Sequence, residues 1–398
     1  MDVRSAQGQH PHPLAAHYQR FRVAERLLLT GHSHQAWPDV GLAAQRQAWL
    51  DAADLVDDKW ERARARADAV RAGFARLLGD APERIALGPS THDLLVKLLS
   101  ALPLRQRPRV VTTDGEFHTA RRQLDRLAEE GLEVHRVPAA PVSTLAERLA
   151  AAVDERTALV VVSAVLYQTA QIVPHLEALP PACARVGAAL LVDAYHALNV
   201  VPFELGGQGL ETAWVTGGGY KYCQLGEGNA FLRLPPGARP RPAVTGWFAE
   251  FGALERDGAE RAVVYADGPD RFAGATYDPT SHYRAAAVFD FFRDQGLTAT
   301  RLRAISQHQV GRLVQRFDAL DADPTRVTRD RDTALTGRAG FLVLRSPQAA
   351  AICSALRDRG VTTDVRGQAL RLGPAPYLSD AQLDRAMDAL AEVLTDRP

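Results

Sequence analysis

The stretch Thr216-Gly217-Gly218-Gly219-Tyr220-Lys221-Tyr222 follows the apolar run Ala213-Trp214-Val215 and sets a lysine in a glycine-rich turn past a strand. Lysine is scarce here: Lys59, Lys97 and Lys221 are the only three among 47 lysines and arginines in 398 residues. Where positive charge alone suffices, the sequence uses arginine. A retained lysine is therefore a candidate for work a guanidinium cannot do. An amine withdrawn from water can lose its proton and attack a carbonyl, whereas arginine stays protonated. Lys221 is thus the candidate Schiff-base lysine. Lys59 and Lys97 fall in amphipathic helical stretches and are expected on solvated faces.

Outward from Lys221, apolar strands alternate with helices. Strands are predicted at Arg84 to Leu87, Arg109 to Thr113, Leu132 to Val137, Thr157 to Val165, Ala189 to Asp193, Ala213 to Thr216 and Asn229 to Leu234. Helices are predicted at Asp93 to Leu102, His118 to Glu130, Ser143 to Val153 (with a capping-box pattern ending at Glu147) and Pro174 to Val186. Near-continuous apolar strands between helices indicate an α/β fold with a mostly parallel sheet covered on both faces. Upstream, apolar residues including Trp49, Leu50, Val56, Val70 and Phe74 recur near helical spacing and predict one long helix over Leu42 to Leu78. The first forty-odd residues are loop-like. Beyond about residue 285 the pattern changes to a smaller α+β unit. It has helices at Tyr283 to Gln295, Ala299 to Leu320, Gln348 to Arg359 and Ser379 to Thr395, with strands near Gly340 to Leu344 and Val361 to Leu372. The division expected is an N-terminal segment (1–45) packing with the small domain, a large domain (46–284) and a small C-terminal domain (285–398).

Composition narrows the function. Lysine plus arginine equals aspartate plus glutamate at 47 each, so no basic excess points to nucleic acid. No apolar run is long enough to span a membrane. The polar start, Met1 to His12, lacks a hydrophobic signal core. Cys183, Cys223 and Cys353 show neither pairing nor metal-ligand spacing, which fits a reducing cytoplasm.

Four groups fall where an open parallel sheet binds ligands, outside the carboxyl ends of its strands. Asp193 closes one strand, and a carboxylate there can keep a heteroaromatic nitrogen protonated. Ser90-Thr91 opens a helix after a strand, a place suited to a phosphate. Phe117 follows another strand and offers a flat face for stacking. Lys221 supplies the amine. Taken singly, Asp193 and Ser90 are ordinary caps and Phe117 ordinary packing. Together, in this order, they make a pyridoxal 5'-phosphate site.

The motifs resemble the class V aminotransferase group of fold type I enzymes, and within it the kynureninase family, over nearly the whole chain. The carriers are Gly31-His32-Ser33, Ser90-Thr91, Phe117-His118-Thr119, Asp193-Ala194-Tyr195-His196-Ala197, Tyr220-Lys221-Tyr222, Thr245-Gly246-Trp247, Asp364-Val365-Arg366 and Arg371-Leu372-Gly373-Pro374. The resemblance implies a seven-stranded sheet and a homodimer with active sites at the interface. It implies that His196 and Tyr220 contact the cofactor, Tyr220 at its phosphate, and that Trp247 reaches the partner subunit's phosphate. Arg371 would grip the substrate α-carboxylate, with His32 and Ser33 beside it. Departures fall at His32 (for Asn), Phe248-Ala249-Glu250 and Tyr277-Asp278, positions that the family places near the substrate side chain. The implied reaction is hydrolytic Cβ–Cγ cleavage of kynurenine to anthranilate and alanine. Transamination or another lyase reaction on a related amino acid is the alternative. A desulfurase needs a reactive thiol on a mobile loop, whereas Cys353 falls within a helix, where a buried structural thiol is expected.

Overall fold

The computed structural model describes residues 11–253 and 262–395. The polar start, up to His10, lies outside the described residues. A short strand β1 (Leu27–Leu28) precedes a seven-stranded sheet of β2 (Ile85–Gly88), β3 (Arg109–Thr113), β4 (Glu133–Val137), β5 (Thr157–Ser163), β6 (Ala189–Asp193), β7 (Trp214–Gly218) and β8 (Ala230–Arg233). The order is β2-β8-β7-β6-β5-β3-β4, parallel except where β8 runs antiparallel between β2 and β7. Helices α1 (Val40–Leu55), α2 (Lys59–Leu78), α3 (Thr91–Ala101), α4 (His118–Glu129), α5 (Leu145–Ala151), α6 (Leu179–Val186) and α7 (Thr280–Asp294) accompany it. Then come α8 (Ala299–Asp318), β9 (Thr328–Arg329), β10 (Leu342–Arg345), α9 (Ala349–Asp358), β11 (Val361–Thr362), β12 (Asp364–Arg366), β13 (Ala369–Leu372) and α10 (Asp380–Thr395).

Strand β5 shows why the large sheet is covered on both faces. Every one of its residues is buried, and alternate side chains join different cores. Leu159 and Val161 pack toward α3 and α4 with Leu98 and Leu124. Val160 and Val162 pack on the other side, in the core that holds Phe74, Leu149 and Leu179. Burying each such side chain contributes roughly 1.5–3 kcal/mol, so a polar residue on either face would be costly.

The small sheet has the order β12-β13-β10-β9. The N-terminal segment is tied to this part of the chain. Strand β1 pairs in parallel with β11, Gly31 N–H donates to the Gly373 carbonyl at 2.7 Å, and the Gln382 amide donates to the Val23 and Arg26 carbonyls. These contacts bring His32 beside the strand that carries Arg371.

Several expectations change. The long helix is two, broken at Val56, whose φ of 48° lies outside helical space. Asp57, Asp58 and Glu61 gather at the start of α2, where the helix dipole favours acids, and override the apolar periodicity. Trp49 is 79% exposed and Leu50 and Val56 also face outward. Instead, α1 packs through small residues, Gly41, Ala44 and Ala48, and through Asp51, which accepts from Tyr283 Oη at 2.7 Å. The capping box before α5 does not form, because Arg148 takes the Thr144 hydroxyl at 3.2 Å. Lys97 is not on a solvated face. It is buried, pairs with Asp93 at 2.9 Å and donates to the Phe272 carbonyl at 3.1 Å, pinning α3 to the segment Gly268–Phe272.

Glycine 73 sits inside α2 with the Phe289 ring of α7 where a Cβ would stand. Helix propensity alone favours replacing it, so packing and propensity oppose each other here. Gly73→Val is expected to destabilise the protein by about 1–3 kcal/mol, measured by chemical unfolding. An unchanged midpoint would show that Phe289 does not limit this contact.

Candidate active site

Strands β3, β5, β6 and β7 run parallel, so their carboxyl ends open on one edge of the sheet. Ser163, Asp193 and Thr216 stand there side by side in register. Strand β2 ends on the same edge, since it is antiparallel to β8 and β8 to β7. A cleft of about 330 Å³ opens above these ends. It is lined by Ser90, Thr91, Phe117, Asp193, His196, Tyr220 and Lys221, every cofactor-side residue legible in the sequence except Trp247.

Lys221 is only 5% exposed. Its Nζ lies 2.7 Å from His196 Nε2, 4.4 Å from the centre of the Tyr195 ring and 5.1 Å from that of Phe117. Burial pushes the amine down to about 7, with Asp193 acting in the opposite sense and Arg371 and Arg366 adding to the lowering. His196 is held well below the ordinary imidazole range, first by burial and then by the charge of Lys221, so its ring is neutral. A neutral ring accepting from Lys221 at Nε2 carries its proton on Nδ1, and that buried nitrogen has no partner.

Asp193 is held by the first turn after β6, where the Tyr195 N–H donates to its Oδ1 at 2.8 Å. This bond closes a turn rather than capping a helix, since no helix follows β6 here, and it orients the carboxyl at the cleft. Burial raises this carboxyl, opposed by the Tyr195 N–H and by Lys221. Ser90 caps α3, accepting from Asp93 N–H at 3.2 Å, and leaves its own O–H free to donate. Thr91 is the first residue of α3, so hydroxyls and the positive end of a helix dipole face the same end of the cleft. Phe117 sits just before α4 and meets Tyr167 edge-on at 5.2 Å.

Arg371 stands behind this wall, buried, with its Nη1 donating to the Tyr167 carbonyl at 2.7 Å. The broad side of its guanidinium is already engaged: Nε donates to Asp364 Oδ1 at 2.8 Å and Nη2 to Oδ2. Of its five N–H donors, one on each terminal nitrogen remains. His32 is fully buried and shares the same acid, its Nε2 lying 2.9 Å from Asp364 Oδ1. Burial lowers His32 to about 4, and the doubly bonded Asp364 is held far below the usual carboxylate range despite its partial burial. His32 does not line the cleft; it braces the carboxylate that braces Arg371. Ser33 is turned to His34, 3.2 Å from its Nδ1, and His34 in turn stacks on Tyr220 at 4.9 Å.

Trp247 is 45% exposed and packs on Phe248 and Phe251, away from its own chain's cleft. Phe248 and Tyr277 pack around Trp60 and also stand outside the lining. The sequence reading missed Glu116, Ser163, Tyr167 and Asn229. Ser163 and Glu116 had a usable signal: one ends a buried strand on the binding edge, and the other is a carboxylate directly before the stacking ring. Tyr167 lies on an irregular turn and had none, and Asn229, just before β8, was read only as the start of that strand.

The cleft suits pyridoxal 5'-phosphate on its own evidence. A buried amine with no carboxylate bonded to it faces the cleft, hydroxyls and a helix start face one end, and a carboxyl with a free oxygen faces another. The sequence model of the kynureninase C-terminal domain matches residues 302–390. An uncharacterized aminotransferase, YcbU, of Bacillus subtilis (strain 168) is 24% identical over 352 residues, covering 87% of this chain and 88% of its own. The kynureninase of Deinococcus radiodurans is 27% identical over 356 residues, covering 88% and 82%. Among solved structures, a C-DES mutant with glycine covalently linked to the PLP cofactor superposes with a TM-score of 0.83 at 19% identity, covering 96% of this chain and 99% of that one. The chain is a pyridoxal 5'-phosphate enzyme with fold type I, similar to the kynureninases and to an aminotransferase over most of its length.

Proposed function

We propose that this enzyme cleaves the Cβ–Cγ bond of a kynurenine-type amino acid with water, releasing an anthranilate-type acid and alanine. The observation that carries the reading is the meeting of two separately encoded parts. The Lys221 cleft is built by the large sheet, while Arg371 comes from the segment that resembles the kynureninase C-terminal domain. Arg371 reaches the cleft wall through Tyr167. On this reading the substrate lies where the segment 1–45, the large domain 46–284 and the small domain 285–398 meet. Two copies form the working unit in the cytoplasm, with the exposed Trp247 crossing to the partner's cleft.

When bound, pyridoxal 5'-phosphate supplies an electron sink for the bonds broken at and beyond the substrate α-carbon. The chain's residues do the rest. Lys221, lowered to about 7, is partly neutral at physiological pH, so its Nζ serves both as nucleophile and as carrier of the α-proton. His196 keeps that nitrogen in place and, being neutral, does not repel its protonated form strongly. Asp193 would hold the ring nitrogen of the cofactor, and Ser90, Thr91 and Tyr220 would hold its phosphate. Phe117 would offer the ring a stacking face and exclude water from it. The two remaining N–H groups of Arg371 take the substrate carboxylate end-on.

The likeness to an aminotransferase over 87% of the chain favours transamination as the second reading, carried by the same residues. The two separate in one experiment. The protein loaded with pyridoxal phosphate is incubated with kynurenine, with and without a keto-acid acceptor. Anthranilate fluorescence without the acceptor is the expected result; a keto-acid product that requires the acceptor contradicts the hydrolytic reading. Lys221→Ala should lose the visible absorption of lysine-bound pyridoxal and at least about a thousandfold in turnover.

Asp364 also links Arg371 to stability. Its folded value lies below the unfolded one, so its contribution is present above about pH 4 and disappears as pH falls further. Asp364→Asn is expected to destabilise the protein by about 3 kcal/mol at neutral pH, and by less as the solution is acidified. Equal losses at both pH values in chemical unfolding would show that the acid carries no charge there.

A further inference from the structure

Glu116 is a buried carboxyl that the chemistry above does not use. It lies just past β3, before Phe117. Strands β3 and β5 pair only as far as Val111 and Val160, and beyond that point they part. Glu116 fills the gap. Its Oε1 accepts from the Ser163 N–H and the Thr113 hydroxyl, both at 3.0 Å, and its Oε2 accepts from the Ser163 hydroxyl at 2.6 Å. Ser163 lines the cleft beside Asp193. Thr113 of β3 and Ser163 of β5 bring only neutral donors, and the charged group facing Glu116 is Asp193 of β6. No cation bonds to it among the described residues.

We propose that Glu116 is a positioning residue that decides, through Ser163, whether the cleft wall offers the bound cofactor a hydrogen-bond donor or only an acceptor. The inference rests on the cofactor occupying this cleft. With Glu116 charged, the Ser163 hydroxyl points its hydrogen at Oε2 and shows the cleft its lone pairs. With Glu116 protonated, the carboxylic acid donates to Ser163 Oγ, and the hydroxyl hydrogen turns to the cleft. One proton on one buried acid thus reverses the polarity of a neighbouring hydroxyl, with no backbone movement. Burial pushes Glu116 up to about 7, aided by Asp193 and opposed by its three hydrogen bonds, so both forms are populated near neutrality. A purely structural plug at the strand gap would be served equally well by glutamine.

That difference supplies the test. In Glu116→Gln the side-chain amide donates to Ser163 permanently, imitating the protonated acid. The dissociation constant for pyridoxal phosphate is measured across the neutral range in the wild type, Glu116→Gln and Ser163→Ala. Wild type and Glu116→Gln should agree on the acid side and diverge by roughly three- to tenfold on the alkaline side, the worth of one hydrogen bond. The ratio of wild type to Ser163→Ala should also change across the range, which keeps the test available if Glu116→Gln does not fold. Parallel profiles for all three overturn the proposal.

Ligand-free protein gives an independent arm. A carboxyl raised on folding stabilises below its unfolded value, and that contribution is lost as pH rises through its folded value. Glu116→Gln should therefore gain stability on the wild type between about pH 4 and about pH 7, and a constant difference overturns the titration. Failure of the wild type to take up pyridoxal phosphate overturns this proposal and the functional reading together. Uptake with parallel profiles overturns this one alone.

Discussion

Removing the Lys221 amine from water disfavours its charged form, and the groups around it only partly offset that penalty. It meets a neutral imidazole at 2.7 Å and aromatic faces at 4.4 and 5.1 Å, while Asp193 acts on it without bonding to it. An ordinary structural lysine would be bonded to a carboxylate, as buried Lys97 is to Asp93. The contrast between the two buried lysines distinguishes function from architecture. Lys97 joins a helix to a loop as a cation, whereas Lys221 is held where it can be an amine. The rest of the fold supplies that environment. Parallel strands bring Ser163, Asp193 and the turn after β7 to one edge, and two apolar layers exclude water from beneath them.

The second charged centre is arranged differently. Arg371, Asp364 and neutral His32 form a cluster in which one acid satisfies two partners. The acid fixes the guanidinium, and the remaining N–H groups are directed by that constraint rather than by a ligand. His32 comes from the N-terminal segment and Arg371 from β13, joined by the Gly31 to Gly373 hydrogen bond. Gly373 is fitted to this arrangement, since a Cβ there would run into the His32 ring. His32 thus stands one layer behind Arg371, and on the proposed reading it would influence the substrate only through Asp364.

Much of this was legible in the sequence. The strands Arg109–Thr113 and Ala189–Asp193 appear with the predicted bounds, because their buried centres Val110-Val111 and Leu190-Leu191-Val192 are apolar and polar or half-buried residues mark their ends. The places of Ser90, Thr91 and Asp193 in the cleft lining were legible because they sit at a helix start and a strand end, where position and chemistry coincide. What was not legible depends on partners far apart in the chain. Periodicity treated Trp49 and Leu50 as core, but the face of α1 is chosen by the small residues that let α7 approach. Lys97 looked solvated because nothing local announces Phe272. The Arg371 motif was visible, while the acid already bonded to it could be assigned only in three dimensions.

The central claim is that the amine of Lys221, and neither of the other two lysines, is the one that takes up the cofactor. The most direct measurement is borohydride reduction of the protein loaded with pyridoxal phosphate, followed by peptide mapping by mass spectrometry. One pyridoxyl group per chain, on the peptide containing Tyr220-Lys221-Tyr222, is the predicted result. A modified Lys97 or Lys59, or no stable adduct after reduction, would contradict the account.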